Sequence, residues 1–523
     1  MMLPFQNSFV RMNYVKILLM STGAIAVGVV FAGFLMPKII RMAMKMQLRV
    51  TPGTMTRDMY EKVPFALDFS VYIFNVTNKD EVLAGGKPIL QELGPYYFEE
   101  FKDKVEIVDD NEEDTMEYDY RNTYQYKPER NGPGLTGNEF VTVAHPLLLA
   151  MILSINVDRP ELLAFIQTAV NGLLRNPQDI FFTGRLWDLL YDGVVLDCSS
   201  EDFEVNAVCS EFDSGDYAEI RRINETAFSF SMFGNSNGSS IGRFKALRGK
   251  KNIRDLGRVL EYNGLIEMDA WYEDECNEIT GTDGTIFPPF YEKEEGFTIF
   301  IPQMCRAMTA EYQRPSKYAG IKTNQFTLSF DVTKYGSPNC YCRDGEFCPP
   351  EGLLDLYPCV GTPIAISAPH FYKVDPAVLE KVIGLNPDPE KHEFFMNFYQ
   401  FAGAPVEAYG RLQANFEIVP VEEVPYMKDL QSMYLPLMWI ENGVGLSKKY
   451  TNMLKYQLIM GLRIQKLMKY GCIIGGVVGL IIGAVAGFLQ SENESNETRS
   501  ISAKSDAVLV ENPNVQSIEV ASN

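Results

Sequence analysis

The chain has 523 residues, 46% of them hydrophobic, and a formal net charge of −21. That length exceeds one average domain and is enough for a sizeable core. The acidic balance excludes nucleic acid as a partner, because phosphate contacts need a basic surface. Three scattered histidines, His145, His370 and His392, exclude a His-rich metal site.

In chain order, residues 1–16 form a short, weakly basic tail. Residues 17–36 are uncharged and bounded by Lys16 and Lys38; residues 470–489 are uncharged and follow Lys469. About twenty helical residues reach roughly 30 Å, the thickness of a bilayer's hydrocarbon core. Two membrane spans are therefore expected. The first run is too long for a signal peptide, and Pro37 and Lys38 stand where a cleavage site needs small residues. The second run carries Gly471, Gly475, Gly479, Gly483 and Gly487, and the first carries Ala24, Gly28 and Ala32, at the same spacing. Small residues four apart let helix backbones approach closely in lipid, so these glycines are the candidate packing positions. Residues 490–523, rich in Ser, Asn and Glu, are expected to be disordered.

Orientation pits two signals against each other. Lys38, Arg41, Lys45 and Arg49 follow the first span, and six more cations from Lys448 to Lys469 precede the second. A simple count of positive residues would put the middle of the chain in the cytoplasm, but long loops translocate regardless of charge. Cysteines and sequons decide for the outside. The expected layout is a cytoplasmic tail (1–16), a span (17–36), an extracellular domain (37–469), a second span (470–489) and a cytoplasmic tail (490–523).

Within the middle, Met116, Tyr118, Tyr120, Asn122, Tyr124 and Tyr126 alternate with charged or polar residues, the period of a strand. Phe65 to Ile73 alternates likewise. Further strands are predicted at 227–233, 297–301, 327–332 and 412–419. Antiparallel pairing fits better than βαβ units, because long helices do not alternate with these strands. Three successive helices are predicted at 146–155, 160–175 and 179–190, too apolar for solvated helices. They either cap the strand body or expose an apolar patch. Asp375, Pro376 and Gly384 bracket a further helix.

Eight of the nine cysteines lie between Cys198 and Cys359, six of them from Cys276 onward. Paired C-x-x-C knuckles are absent, so disulfides are expected rather than zinc. The sequons at Asn75, Asn224 and Asn237 agree with an extracellular, glycosylated domain. Cys472, in the second span, is left unpaired.

Short catalytic motifs fail on context. Gly132 to Gly137 matches G-x-G-x-x-G, but Pro133 stiffens it and a strand rather than a helix follows. Gly234 to Gly238 matches G-x-S-x-G around Ser236 without the apolar helix a nucleophile elbow needs. Both are read as turns. The acidic run Glu112, Glu113, Asp114 is read as a solvated loop. No catalytic set, metal or cofactor is expected, and the chain is read as a non-enzyme.

Two end anchors, a sequon-bearing loop and six clustered cysteines resemble the class B scavenger receptor and fatty acid translocase family. The likeness rests on residues 64–77 (PFALDFSVYIFNVT), 92–98 (ELGPYYF), 276–290 (CNEITGTDGTIFPPF), 369–376 (PHFYKVDP) and 435–440 (LPLMWI), and it covers roughly residues 10–490. Residues 132–139 (GPGLTGNE), 321–324 (IKTN) and the extra Cys198 and Cys209 are most similar to that family's insect sensory neuron membrane proteins. The resemblance implies an antiparallel β-barrel-like core with short helices, an apical helical cluster, and an apolar tunnel toward the membrane. It implies the bridges Cys276–Cys340, Cys305–Cys359 and Cys342–Cys348, with Cys198–Cys209 as a local fourth. It points to Arg175 as the apical cation for a ligand carboxylate, against a plain reading as a solvated arginine at a helix end. The function implied is a lipid receptor or conduit in the plasma membrane of a sensory dendrite, both termini cytoplasmic. It would take up fatty-acid-derived odorants or pheromones, with an odorant receptor complex and an odorant-binding protein as partners. A general scavenger receptor for fatty acids, sterols, carotenoids or lipoproteins is the alternative.

Overall fold

The structure, a computed structural model, describes residues 14–215, 217–330, 339–399 and 401–510. It divides into two compact units, one built from the two chain ends and the other from Met46–Lys448.

In the larger unit, Leu67–Val76 lies at the centre of an antiparallel sheet, between Leu90–Asp110 and Met433–Gly445. On one side the sheet continues through Thr115–Tyr126 and Ser240–Leu247 to Val259–Tyr262. On the other it runs through Pro405–Ile418, Phe395–Phe398, Ile321–Thr327 and Arg306–Tyr318 to Phe297–Ile301. Alternation explains this. Met116, Tyr118 and Tyr120 are buried, whereas Glu117, Asp119 and Arg121 face outward, and Arg243 on the neighbouring strand pairs with Glu117 and Asp119. The predicted strand at 327–332 shifts to Ile321–Thr327, where Thr323, Gln325 and Phe326 are buried; positions 331 and 332 lie outside the described residues.

The two sheet ends meet at one residue. Thr282 bridges Arg258 on one side and Ile299 on the other. Val259 N–H donates to Gly281 O at 2.9 Å, Thr282 N–H to Thr298 O at 3.0 Å, and Phe300 N–H to Thr282 O at 2.8 Å. Gly281 has φ +86°, and a Cβ there would sit 2.5 Å from Thr298 O, so the seam needs glycine. The sheet is a nearly closed, barrel-like ring, which removes most of the exposed strand edge.

Helices Pro146–Asp158 and Leu163–Leu173 bury Leu148, Leu149, Ile152, Ile166, Ala169 and Val170 in the same hydrophobic cluster as Val71, Ile73 and Trp439 of the central strands. They cap the strand body rather than display an apolar patch. The third predicted helix is helical only from residue 186 onward, in the segment that ends at Asp192. Phe181–Arg185 is a strand paired with Phe140–Ala144, begun by Asp179 accepting from Phe181 N–H at 2.8 Å. Adjacent phenylalanines, a threonine and Gly184 favour extended backbone over helix. The third long helix of the cap is Phe203–Ser214, tied down by a disulfide between Cys198 and Cys209. Asp375 caps only the short turn Pro376–Leu379, accepting from Ala377 N–H.

The smaller unit packs the helical segment Tyr14–Leu48 against Met460–Val510, two helices long and apolar enough to cross a membrane. The second helix continues past residue 489 to Val510; positions 511–523 of the tail expected to be disordered lie outside the described residues. No glycine or proline lies between Gly487 and Val510 to stop it. The glycine register also differs from the spacing of four. A Cβ on Gly479, Gly483 or Gly487 would meet Ser21, Leu18 or Tyr14, whereas Gly471 and Gly475 have nothing within 4 Å. Gly476 takes the contact instead: a Cβ there would lie 2.5 Å from the Ile25 side chain and 2.8 Å from Ser21 O. Each four-residue step overshoots a helical turn by about 40°, so a strict repeat drifts off the seam. Gln465 donates to Ala32 O at 2.5 Å inside the pair.

Candidate ligand site at the helical cap

His145 starts the cap. Its Nδ1 accepts from Leu148 N–H at 3.3 Å and Pro146 takes the first helical position, which satisfies an otherwise orphan donor. Burial pushes the His145 imidazolium down to about 4, so the ring is a neutral acceptor at neutral pH.

The Leu163–Leu173 helix ends at two residues in the left-handed region, Arg175 (φ 57°) and Asn176 (φ 60°). The turn throws the Arg175 side chain outward, 76% exposed, where it pairs with Asp197 at 3.2 Å. Hydrogen bonds from Ser199, then from Arg175, hold Asp197 below the usual carboxylate range. Arg175 is thus partnered within the protein and lines no part of the neighbouring cavity.

That cavity, about 490 Å³, lies between the same helix end and the segment around Pro425 and Tyr426. The volume is in the range of small-molecule sites. Gln167 and Asn171, one helical turn apart, line it together with Asn176, Gln178 and Leu83. Burial, with Asp179 nearby, pushes the Tyr426 phenol up to about 12. Its hydroxyl is buried without a hydrogen-bond partner. Lys79 and Asp179 neutralise each other beside the site at 2.9 Å. The sequence reading missed this cavity. Its only signal was two carboxamides four apart on an otherwise apolar helix. A second cavity, about 220 Å³, lies at the ring seam and is lined by Phe287, Tyr291 and Phe297 with Arg254 and Arg258.

The model of the CD36 family matches residues 19–486. The chain belongs to the CD36 family. It is 41% identical to sensory neuron membrane protein 1 of Anopheles gambiae, covering 94% of this chain and 90% of that protein. It is 42% identical to sensory neuron membrane protein 1 of Aedes aegypti over 86% of this chain and 83% of that one. The protein of that name from Heliothis virescens is 38% identical over 89% of each. A two-pass membrane receptor of lipids is the role that this membership supports.

The remaining CD36-family sequence features settle into structural roles. Sulfurs are bonded between Cys276 and Cys340, Cys305 and Cys359, and Cys342 and Cys348. Glu273 is the acidic neighbour of Cys276 and Cys340, whose thiols are used by their bond. In the 132–139 turn, the Glu139 carboxylate accepts from Thr136 N–H at 2.6 Å and Gly137 N–H at 2.8 Å. The chain's own carboxylate thus occupies the donors that a phosphate would need. Ser236 Oγ contacts only Phe233 O among the described residues, at 3.4 Å. Of the acidic run, Glu112 and Glu113 are exposed on a turn, as expected, whereas Asp114 is buried beside Arg248, which is 1% exposed and also reaches Asp109 and Asp110 O.

The sequons part company. Asn224 is exposed, its Oδ1 accepting from Thr226 N–H and hydroxyl. Asn237 is half-buried: its Oδ1 accepts from Tyr124 N–H, and its Nδ2 donates to Tyr124 O and to Tyr191 Oη at 2.7 Å. Asn75 is half-buried, accepting from Thr142 N–H at 2.8 Å.

Proposed function

We propose that this protein is a non-enzymatic lipid receptor and conduit that takes up fatty-acid-derived odorants or pheromones and passes them to the membrane or to an odorant receptor. The outer domain would lie on the non-cytoplasmic side with both termini in the cytoplasm, in the dendrite of a sensory neuron. The supporting observation is a nearly closed strand ring capped by helices, with a ligand-sized cavity at the cap and a membrane span at each chain end. Relatives named sensory neuron membrane protein 1 support a sensory-membrane role. Transfer of an acyl chain out of water supplies the driving force, about 0.8 kcal/mol per buried methylene. The passage between cap and bilayer is part of this proposal.

Mass spectrometry of lipids that co-purify with the full-length chain tests it. A fatty-acid-derived lipid retained in stoichiometric amount is expected. Purified protein that holds no such lipid and accepts none when offered would remove the reading. Confinement of expression to olfactory sensilla, rather than gut or haemocytes, separates it from a general scavenger role.

A further inference from the structure

We infer that His370 and His392 form an acid-released latch, which holds the turn at residues 386–388 on the outer wall of the ring and lets it go when the pair is protonated. The two rings are buried and stack nearly parallel, with centroids 4.4 Å apart. His370 Nδ1 accepts from Asn386 N–H at 3.0 Å, and His392 Nδ1 accepts from Asp388 N–H at 2.9 Å. Each neutral ring therefore carries its proton on Nε2. That of His370 donates to Glu92 Oε2 at 2.5 Å. With Nδ1 engaged and Nε2 protonated, neither ring has a lone pair for a metal ion. Both rings meet the edge of Trp439, which stacks on Tyr72 at 3.7 Å. Tyr72 and Trp439 pair next to Val71 and Ile440, so they lie on the opposite face of the sheet from those core residues.

The same geometry sets the response to acid. A second proton on either ring must go to Nδ1, which then confronts a backbone N–H, donor against donor. The hydrogen bond at Asn386 or Asp388 is lost, and two stacked imidazolium rings repel in a site withdrawn from water. Glu92, from the Leu90–Asp110 strand, already accepts from His370 and from Trp439 Nε1–H at 2.7 Å, and its one charge offsets one ring, not two. Arg411, from Pro405–Ile418, opposes protonation and is held by Glu441 of Met433–Gly445 at 2.7 Å. Asp388, on the turn itself, favours it. Lys373, just after the His370 turn, is paired with Glu393 at 2.7 Å. Burial, then the His370 ring, pushes the His392 imidazolium from about 6.5 down to about 4. Between these values the opened turn takes up a proton that the latched one refuses, so the latch weakens as pH falls. His370 (φ 55°), Phe371 (φ 57°) and Lys373 (φ 59°) sit in the left-handed region, a backbone cost that release relaxes. Arg411 also donates to Glu390 O and Glu393 O, which do not titrate. Only the turn at 386–388 therefore lifts, uncovering Trp439 while the ring stays closed.

The test is amide hydrogen exchange, corrected for intrinsic rate, on the full-length protein in nanodiscs from pH 7.5 to pH 4. All samples carry His145→Asn, so that titration at the cap drops out. The peptide spanning 384–393 is expected to lose about tenfold in protection as pH falls, while the Pro405–Ile418 strand keeps its own. Glu92→Gln retains an acceptor for His370 and Trp439 but removes the charge that favours protonation, so the midpoint should move down by about one pH unit. His370→Asn with His392→Asn keeps two uncharged acceptors, and protection should then persist at pH 4. If that double variant is already open at pH 7.5, the titrations of the parent and of Glu92→Gln decide by themselves. Protection at 384–393 that does not change with pH, a loss spread equally over the strands, or a midpoint unmoved by Glu92→Gln would overturn the latch.

Discussion

Lys104 Nζ lies 3.0 Å from Asp283 Oδ2, with both side chains withdrawn from water. The ammonium also donates to Thr285 Oγ1 at 2.9 Å and to Tyr60 O at 3.1 Å, and it sits 3.7 Å from the centre of the Tyr60 ring. Tyr60 and Tyr118 both donate to Asp283. Burial alone would raise Asp283, but the Lys104 charge and the Thr285 hydrogen bonds outweigh it and hold the carboxyl below its usual range. The pair joins the long Leu90–Asp110 strand to the segment that closes the ring.

Breaking it from one side leaves an unpaired buried charge. Lys104→Met is expected to cost about 3–5 kcal/mol, read as a fall in the chemical denaturation midpoint. Lys104→Met with Asp283→Leu should recover much of that loss, since both charges are then gone. A double variant no more stable than the single one would show that the pair is not the source of the effect.

Acid should weaken the cap through His145. Its folded value is depressed from about 6.5 to about 4, so between these values the unfolded chain takes up a proton that the folded chain refuses. Stability from this group is complete above pH 6.5 and is lost as pH falls toward 4, by about 3 kcal/mol in total. His145→Asn keeps a side-chain acceptor at the helix start and should flatten the stability profile across that window. An unchanged slope would assign the acid sensitivity elsewhere.

The bridges should rank by the loop they close. Cys276 and Cys340 are 64 residues apart and Cys342 and Cys348 are 6 apart. Loop entropy then gives about 4 kcal/mol for the first and about 2 kcal/mol for the second. Double serine variants compared by denaturation test this order. Equal losses would put strain or local packing ahead of chain entropy.

Glycan occupancy should follow exposure. Asn224→Gln is expected to remove a mobility shift on gels, and Asn237→Gln to leave mobility unchanged. Asn237→Ala should instead lower stability by about 1–3 kcal/mol, because the Tyr124 backbone and the Tyr191 hydroxyl lose their partner. Peptide mapping that finds a glycan on Asn237 would reverse this assignment.

In the membrane unit, Gly479→Leu should disrupt helix pairing and Gly475→Leu should not. A Cβ on the first would lie 2.2 Å from Ser21 Oγ, while the second faces open space. Cysteine crosslinking between the two helices reads the difference. Equal effects would refute this seam.

The alternating run from Met116 to Tyr126 and the two uncharged end runs each reflect a local period or a length, so they were legible before any coordinates. The segments shared with the CD36 family extended that reading to the fold and to the class of ligand. Within 179–190 only Phe181–Arg185 departs from the expected helix, because a short apolar run suits a helix or a strand alike until Phe140–Ala144 offers its edge, while 186–190 stay helical.

By itself the sequence determined two membrane spans, a mainly antiparallel body between them, and membership in a lipid-receptor family. The tertiary structure alone decided that Thr282 closes the ring, that Arg175 turns to Asp197, and that Gly476 rather than Gly475 meets the other helix. It alone brought Gln167, Asn171 and Asn176 to face Tyr426. Patterns of period and length are written along one stretch of chain, whereas a side chain's partner depends on which distant segment the fold delivers to it.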